Sequence, residues 1–200
     1  MQTIWNSKYQ QNDYLYGSQP DTFLKENLSL IKKGGSVISL GEGEGRNALL
    51  LAKEGFETEA LDLSDVGLKK LLKKSEEEEL FITLRHTFFE YWKPLKEYDG
   101  VVSILFHLPK TRQRELFEKS FHTLKKGGVF IGEFLSDKEI NRKNGLFCEG
   151  EDGYSLIEVY ELLQSFTCKS LKISEEIVNL NAGVRYQAEA SLLRIIFQKI

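Results

Sequence analysis

The chain has 200 residues, of which 41% are hydrophobic and 28% charged, and its formal net charge at pH 7 is −3. This length suits a single domain with a substantial hydrophobic core. The near balance of 27 basic and 30 acidic residues argues against nucleic acid or an anionic membrane as the main partner. Two cysteines, Cys148 and Cys168, are too few for a disulfide framework and lack metal-ligand spacing. Without a signal segment or an apolar stretch of membrane-spanning length, we expect a cytoplasmic protein that holds no metal.

Apolar segments that favour strands alternate with segments of helical periodicity in the first two thirds of the chain. The predicted strands comprise residues 37–40, 58–61, 80–84, 101–106 and 129–134. The predicted helices between them comprise residues 47–54, 64–75 and 111–124. Because continuous apolar strands are typically buried on both faces, we expect a parallel sheet covered by helices.

The pattern changes in the last third of the chain. Residues 136–153 are polar and contain glycine, which predicts a loop or lid, and residues 155–166 have helical spacing. Two further strands, residues 171–178 and 190–198, are separated by a turn signal without a helix. Strands connected in this way are most simply antiparallel, so we expect a C-terminal hairpin.

The most informative segment is the glycine-rich loop that follows the first predicted strand. Gly41, Gly43 and Gly45 alternate there with Glu42 and Glu44, and a predicted helix begins directly afterwards. Glycines let a backbone turn sharply and let a ligand approach closely. A loop of this type between a strand and a helix usually holds a nucleotide-like cofactor.

The loop does not fit a dinucleotide. The dinucleotide fingerprint requires a third glycine where this chain has Arg46, and the loop carboxylates would repel a pyrophosphate. S-adenosylmethionine carries a sulfonium and an ammonium and has no phosphate, so an acidic loop suits it. Asp62 ends the second predicted strand, where a carboxylate can accept hydrogen bonds from the ribose hydroxyls of either cofactor. S-adenosylmethionine is therefore the predicted cofactor, and an NAD-dependent oxidoreductase is an alternative that rests on fold class alone.

Five segments support a more specific assignment. In chain order they are Trp5 and Tyr9 with DYLYG at residues 13–17, LGEGEGRNA at 40–48, LDLS at 61–64, YDGVVSI and HLP within 98–109, and LKKGG at 124–128. With these segments the chain resembles the class I S-adenosylmethionine-dependent methyltransferases. Within that class it is similar to the group of the tellurite-resistance methyltransferase, to which the thiopurine methyltransferases are related.

The resemblance implies an α/β fold: a Rossmann-like, doubly wound, seven-stranded and mostly parallel sheet with a C-terminal antiparallel hairpin. One methyltransferase domain would span residues 1–200. Residues 1–30 would form an N-terminal lid and helix, residues 36–134 the cofactor-binding core, and residues 135–200 a loop, a helix and the hairpin. The implied activity is methyl transfer by in-line displacement to a small-molecule acceptor, by a monomer or a homodimer that binds neither nucleic acid nor membrane.

The resemblance also implies a cofactor site. Gly41, Gly43 and Gly45 would approach the methionine part of the cofactor, Asp62 would hold the ribose, and Leu63 would pack on the adenine. Aromatic faces over a sulfonium would add cation–π attraction. The remaining side chains expected around the cofactor are Trp5, Tyr9 and Tyr14 of the lid, Thr87, Phe88 and Phe89 after the third strand, and Phe106 after the fourth.

Several of these residues have two interpretations. His107 follows the fourth strand, where it is a candidate base or orienting group for the acceptor, or only a cap of the strand edge. Glu42 either meets the cofactor ammonium or accepts backbone N–H groups of its own loop. Arg46 either binds the cofactor carboxylate or pairs with Glu42 or Glu44. Trp5 and Tyr9 either cover the cofactor or only pack an N-terminal helix.

Two positions depart from the family pattern. An Asp that often accepts from the adenine amino group is replaced here by His86 or Thr87. The turn between the last two strands keeps Gly183 but has Tyr186 where the family often has a His. These departures support an alternative hypothesis, a protein that binds S-adenosylmethionine without turnover as a sensor or partner-binding module. The leading prediction remains methyl transfer to a soft nucleophile such as a thiol or a chalcogen species.

Overall fold

The computed structural model of the chain describes residues 2–10, 14–142, 152–184 and 186–200. The strands are β1 (Ser36–Leu40), β2 (Glu57–Asp62), β3 (Ile82–His86), β4 (Tyr98–Ile104), β5 (Leu124–Leu135), β6 (Cys168–Ala182) and β7 (Tyr186–Lys199). The helices are α1 (Gln2–Gln10), α2 (Thr22–Asn27), α3 (Arg46–Lys53), α4 (Asp65–Glu77), α5 (Lys110–Thr123) and α6 (Leu156–Leu163).

The seven strands form one sheet in the order β3-β2-β1-β4-β5-β7-β6. Strands β1 to β5 are parallel, and β7 is antiparallel to both of its neighbours. This arrangement confirms the predicted mostly parallel sheet with a C-terminal antiparallel hairpin. The register pairs Leu40 with Leu61 and places the carboxyl ends of β1 and β2 side by side.

Both faces of the sheet are covered, as the continuous apolar strands predict. Every residue of β1 is buried, and successive side chains of a strand point to opposite faces. Val37 belongs to one hydrophobic cluster together with Leu51 of α3. Ile38 belongs to a second cluster together with Leu116 and Phe117 of α5. The parallel core is therefore fixed by burial on two sides.

The C-terminal hairpin is longer than the sequence pattern predicts. Strands β6 and β7 have 15 and 14 residues, and their pairing continues to Ala182 beyond the end of β5. The turn at Gly183 packs against Gly17, since a Cβ added at Gly183 would lie 2.1 Å from the Gly17 nitrogen. The overhanging end of the hairpin thus reaches the segment that follows α1.

Three further segments complete the description. Strand β3 begins at Ile82 and not at residue 80, because the left-handed Glu79 ends the preceding helix later than expected. A 3-10 turn at Phe89–Tyr91 lies between β3 and β4. Of the predicted loop at 136–153, residues 143–151 lie outside the described residues, and Asp137–Arg142 form a 3-10 helix.

None of the described helices combines the length and apolar character needed to cross a membrane.

Candidate functional site

A cavity of about 870 Å³, including its open mouth, lies at the carboxyl ends of β1, β2 and β4. Ligand sites in open α/β sheets lie at this edge. The side chains and backbone around it come from α1, the glycine loop, and the segments that follow β2, β3 and β4. From the predicted set, the cavity is lined by Trp5, Tyr9, Gly41, Glu42, Gly45, Arg46, Asp62, Leu63, Thr87, Phe88, Phe89, Phe106 and His107.

The loop after β1 requires glycine for reasons within the chain. Gly41, Gly43 and Gly45 have φ of 69°, 61° and 96°, in the left-handed region that L side chains rarely adopt. A Cβ on Gly41 would lie 2.3 Å from the Phe106 ring, and a Cβ on Gly45 would lie 2.3 Å from Leu71. The glycine spacing therefore reflects the path and the packing of the loop as well as space for a ligand.

Asp62 joins the glycine loop to the end of β2. Its Oδ2 accepts from the Gly43 N–H at 2.8 Å, and its Oδ1 accepts from the Ser64 N–H at 2.7 Å. Burial raises the pKa of Asp62 to about 6, although these N–H groups act in the opposite direction. A carboxylate has about four lone-pair positions, so acceptor capacity remains on the cavity side.

Glu42 is bound within its own loop. Its Oε1 accepts from the backbone N–H groups of Asn47 at 3.0 Å and Ala48 at 2.8 Å, and its Oε2 accepts from the Ser39 hydroxyl. Burial raises the pKa of this carboxyl, and the two bonds from backbone N–H groups cap the first turn of α3. These contacts match the second interpretation of Glu42, although its side chain also lines the cavity.

Glu44 ties the loop to the N-terminal segment. It accepts from the Leu15 N–H at 2.6 Å and pairs with Lys70 of α4 at 2.6 Å. Burial raises the pKa of Glu44, and the Lys70 ammonium acts against that shift.

Arg46 has partners that the sequence did not predict. Its Nη2 lies 3.8 Å from Asp21 Oδ2, and its Nη1 donates to the Gln19 carbonyl at 3.4 Å. The structure therefore places the guanidinium beside Asp21. It forms no ion pair within 4.0 Å with Glu42 or Glu44, the second of the two interpretations, although its charge acts to lower the pKa of Glu42. The side chain is nearly buried and lines the cavity, so its charge faces the site.

Aromatic rings from α1 form one wall of the cavity. Trp5 stacks on His107 with 6.0 Å between ring centroids and on Tyr9 with 5.7 Å. The Tyr9 hydroxyl packs against Gly43. Gly43 was also predicted to contact the cofactor, but it is not among the residues that line the cavity. Tyr14 lines a neighbouring cleft, where Lys70 lies 5.7 Å from its ring, and so stands apart from the cavity.

The segment after β3 contributes the opposite wall. The Thr87 N–H donates to the Asp62 carbonyl at 3.1 Å, which places Thr87, Phe88 and Phe89 beside the end of β2. His86 is exposed, and its Nε2 lies 3.1 Å from the Leu63 carbonyl. Of the two candidates for the missing adenine contact, Thr87 lines the cavity.

A strained residue directs the chain after β4. Leu105 has φ of 51°, and its N–H donates to the Glu133 carbonyl at 2.7 Å. A buried branched residue in the left-handed region is uncommon and costs free energy. The turn at this residue places Phe106 on Gly41 and His107 on Trp5.

Sequence reasoning missed several residues of the site. Tyr16, Asn47, Glu90 and Leu105 line the cavity but were not selected. Tyr16 belongs to the same DYLYG segment as Tyr14, two positions further on, so the motif points to this segment although the other tyrosine lines the cavity. Nothing in the local sequence marks Leu105, because its conformation depends on pairing with β5. The side chain of Tyr186 lies outside the described residues.

The lining combines carboxylates with aromatic faces. Three of the carboxylates are Glu42, Glu44 and Asp62, and the rings include Trp5 and Tyr9. Both kinds of group attract a cation. Among the described residues, no three His, Cys, Asp or Glu side chains converge as metal ligands.

Residues 37–128 match the sequence model of a family described as a methyltransferase domain. A search of curated proteins with the sequence found no match. Three similar solved structures show the breadth of the likeness in fold.

TehB from Haemophilus influenzae has 17% identity and a TM-score of 0.76, with all of this chain and 67% of TehB covered. A structure with the description "Conversion of a Disulfide Bond into a Thioacetal Group during Echinomycin Biosynthesis" has 17% identity and a TM-score of 0.77, with 100% of this chain and 93% of that chain covered. An S-adenosylmethionine-dependent methyltransferase from Clostridium acetobutylicum has 15% identity and a TM-score of 0.66, with coverage of 98% and 96%.

Proposed function

We propose that the chain is a class I, S-adenosylmethionine-dependent methyltransferase that transfers a methyl group to a small, soft nucleophile such as a thiol or a reduced chalcogen species. The proposal is supported above all by one observation. Asp62 faces a cavity of carboxylates and aromatic rings at the carboxyl edge of the sheet, and its hydrogen bonds come from neutral backbone N–H groups.

The residues present fit the cofactor. Asp62 retains acceptor capacity for the ribose hydroxyls, and Leu63 and Phe88 offer apolar surface for the adenine. Trp5 and Tyr9 present aromatic faces to the sulfonium, to which a ring is attracted by cation–π interaction. Glu42 and Gly45 shape the loop beside the methionine part, as do Gly41 and Gly43. Tyr14, in the neighbouring cleft, has no role in this proposal.

Arg46 is assigned to the carboxylate of the methionine part. Its guanidinium lines the cavity, and its nearest acidic partner, Asp21, is 3.8 Å away, which leaves donors for a second carboxylate. Guanidinium groups bind carboxylates through paired N–H donors.

When bound, S-adenosylmethionine supplies an electrophilic methyl group. The chain has to align the acceptor with that group and exclude water, which lowers the entropic part of the barrier. We assign His107 as the group that orients the acceptor and takes its proton, because it lines the cavity beside Trp5 just beyond β4.

The choice of a soft acceptor has two supports. A polarisable sulfur or chalcogen needs little base assistance, and a single partly buried imidazole suits that demand. One protein of similar fold acts in the conversion of a disulfide bond into a thioacetal group. The same fold also occurs in a magnesium protoporphyrin IX methyltransferase and a coclaurine N-methyltransferase, so the acceptor is selected by the residues of the site and not by the fold.

Calorimetric titration with S-adenosylhomocysteine, with NAD in a parallel experiment, tests the cofactor assignment. We expect micromolar binding of the first and no binding of the second. Acceptor screening then begins with thiols and chalcogen oxyanions under reducing conditions. Binding of S-adenosylhomocysteine with no methylation of any acceptor in this panel would favour a sensor or partner-binding module over the enzyme.

A His107→Gln variant tests the assigned proton acceptor. With a thiol acceptor near pH 7 we expect kcat to fall about 10- to 100-fold. This is at or below the lower end of the roughly 10²- to 10⁴-fold contribution of a general base, because a thiol needs little base assistance. The loss should shrink as the pH approaches the pKa of the thiol, because the thiolate needs no base. Exposed His122 of α5 provides the matched control, and His122→Gln should leave kcat unchanged. A loss that is independent of pH would argue against a role of His107 as base.

A further inference from the structure

Asn6 of α1 uses both ends of its side-chain amide on the start of α4. Its Nδ2 donates to Asp65 Oδ1 at 2.7 Å, and its Oδ1 accepts from the Ser64 hydroxyl at 2.6 Å. Ser64 is the N-cap of α4, and its Oγ also accepts from the Gly67 N–H at 3.1 Å. One amide therefore joins two helices that are separated by more than fifty residues of sequence.

The same helix carries the aromatic wall of the cavity. Trp5 precedes Asn6, and Tyr9 lies one helical turn further on. Tyr9 packs between the glycine loop and α4, because a Cβ on Gly67 would lie 3.2 Å from its ring. On the other side of the contact, the Ser64 N–H donates to Asp62. Asn6 thus connects the aromatic wall to the carboxylate assigned to the ribose.

We propose that Asn6 is a positioning residue that sets the affinity for the cofactor by holding α1 against the start of α4. Asn6 does not line the cavity, and it acts through Trp5 and Tyr9. The inference rests on the proposed function, since it assumes that the cavity binds S-adenosylmethionine.

The strength of the contact follows from its chemistry. The bond to Asp65 is charge-assisted and both bonds are partly shielded from water, which makes them stronger than exposed neutral pairs. A second contact of α1, between Gln2 and His86, is exposed. We expect the Asn6 contact, and not the Gln2 contact, to control the position of the helix.

The test reverses the direction of one hydrogen bond. Asn6→Asp removes the donor and places a second carboxylate against Asp65, so we expect the dissociation constant for S-adenosylhomocysteine to rise about tenfold. Asp65→Asn alone keeps an acceptor for Asn6 and removes only the exposed ion pair of Asp65 with Lys69, so it should change the constant by less than about threefold. In the double variant the amide at position 65 donates to the carboxylate at position 6, which still accepts from Ser64. Affinity should then return to within about threefold of the native value.

A second readout does not depend on the cofactor. Trp92 is only 5% exposed, so acrylamide quenching of tryptophan fluorescence reports mainly on Trp5. Asn6→Asp should increase quenching in the free protein and the double variant should reverse the increase, whereas Gln2→Ala should leave both readouts unchanged. Thermal unfolding checks that every variant is folded.

The outcomes separate the two proposals. If the native protein binds S-adenosylhomocysteine but Asn6→Asp binds it equally well, or the double variant does not recover, the role of Asn6 is overturned. If the native protein does not bind it, the proposed function fails. In that case unchanged Trp5 quenching in Asn6→Asp overturns the positioning of α1 as well, and increased quenching with recovery in the double variant supports it.

Discussion

Buried carboxylates at the two ends of the parallel strands have opposite electrostatic character. At the carboxyl end, Asp62 is 7% exposed, accepts from two backbone N–H groups, and has a pKa raised to about 6 by burial. At the amino end, Asp99 is 9% exposed and accepts from the Ser36 N–H at 2.9 Å and from the Lys125 ammonium at 2.7 Å. Burial acts to raise the pKa of Asp99 too, but Lys125 and Ser36 outweigh it and the net shift is downward.

The comparison shows that the two carboxylates differ in their hydrogen-bond partners as well as in how deeply each carboxyl group lies within the protein. Asp99 is neutralised by a lysine of the chain itself and joins β1, β4 and β5. Glu59 of β2 behaves similarly: burial acts to raise its pKa, but Arg85 at 2.7 Å and Lys96 at 3.1 Å shift it downward overall. Asp62 has neutral hydrogen-bond donors, so its charge remains available to a ligand at the cavity.

Glu44 is intermediate between the two groups. It pairs with Lys70, as the carboxylates of the amino end pair with their cations, yet burial still raises its pKa. It lies at the cavity, where it also holds the Leu15 backbone. A carboxylate at the site can therefore serve the fold and contribute negative charge to the cavity.

The largest expected effect comes from removing one carboxylate at each end of the parallel strands, Asp62 at the carboxyl end and Asp99 at the amino end. Asp62→Ala should weaken binding of S-adenosylhomocysteine by about 1.5–3 kcal/mol, the range for hydrogen bonds to a charged group. Asp99→Ala should lower the free energy of unfolding without changing that affinity. Calorimetry and chemical denaturation of both variants measure the two quantities. An unchanged affinity in folded Asp62→Ala would mean that Asp62 does not hold the cofactor.

A second effect follows from the raised pKa of Asp62. If the ionised carboxylate accepts the ribose hydroxyls, affinity should fall as the pH drops through about 6 and be about tenfold lower at pH 5. Asp62→Asn should bind weakly and show no such dependence. A native affinity that stays constant from pH 7 to pH 5 would contradict the assignment.

In the free protein the same raised pKa makes stability depend on pH in the direction opposite to that of ligand affinity. Because the folded state favours protonated Asp62, its contribution to the free energy of unfolding is complete below the ordinary value of 3.8 and is lost as the pH rises through about 6. As the pH falls from about 6 to 3.8, the affinity for the ligand should therefore decrease, whereas the free energy of unfolding of the free protein should increase.

The smallest expected effect concerns Asp99. Its lowered pKa means that its stabilising contribution is present above its ordinary pKa of 3.8 and is lost as the pH falls. Asp99→Asn should lower the free energy of unfolding near pH 7 by about 1 kcal/mol, since Lys125 is partly exposed and the pair is screened. Urea denaturation at pH 7 and pH 3 measures the difference, which should narrow at the lower pH. If the native protein and Asp99→Asn differ equally in free energy of unfolding at pH 7 and pH 3, the ion pair of Asp99 with Lys125 is not the source of the difference.

The sequence alone determined the alternation of strands and helices, the terminal hairpin, the glycine loop and the position of Asp62. Hydrophobic periodicity and glycine spacing are local properties, so they can be recognised without knowledge of distant contacts. They also allowed the cofactor class to be predicted, because the acidic loop and Asp62 lie at the ends of successive strands.

Only the tertiary structure decided which partner each polar group takes. Glu42 caps α3, Arg46 lies beside Asp21, and Leu105 is held in a strained conformation by β5. The hairpin extends beyond its predicted ends because pairing along β6 and β7 tolerates polar residues on an edge strand. The contact of Asn6 with Ser64 spans 58 positions in the sequence. Hydrogen bonds and ion pairs between such distant residues depend on how the helices pack on the sheet, and no local pattern encodes that packing.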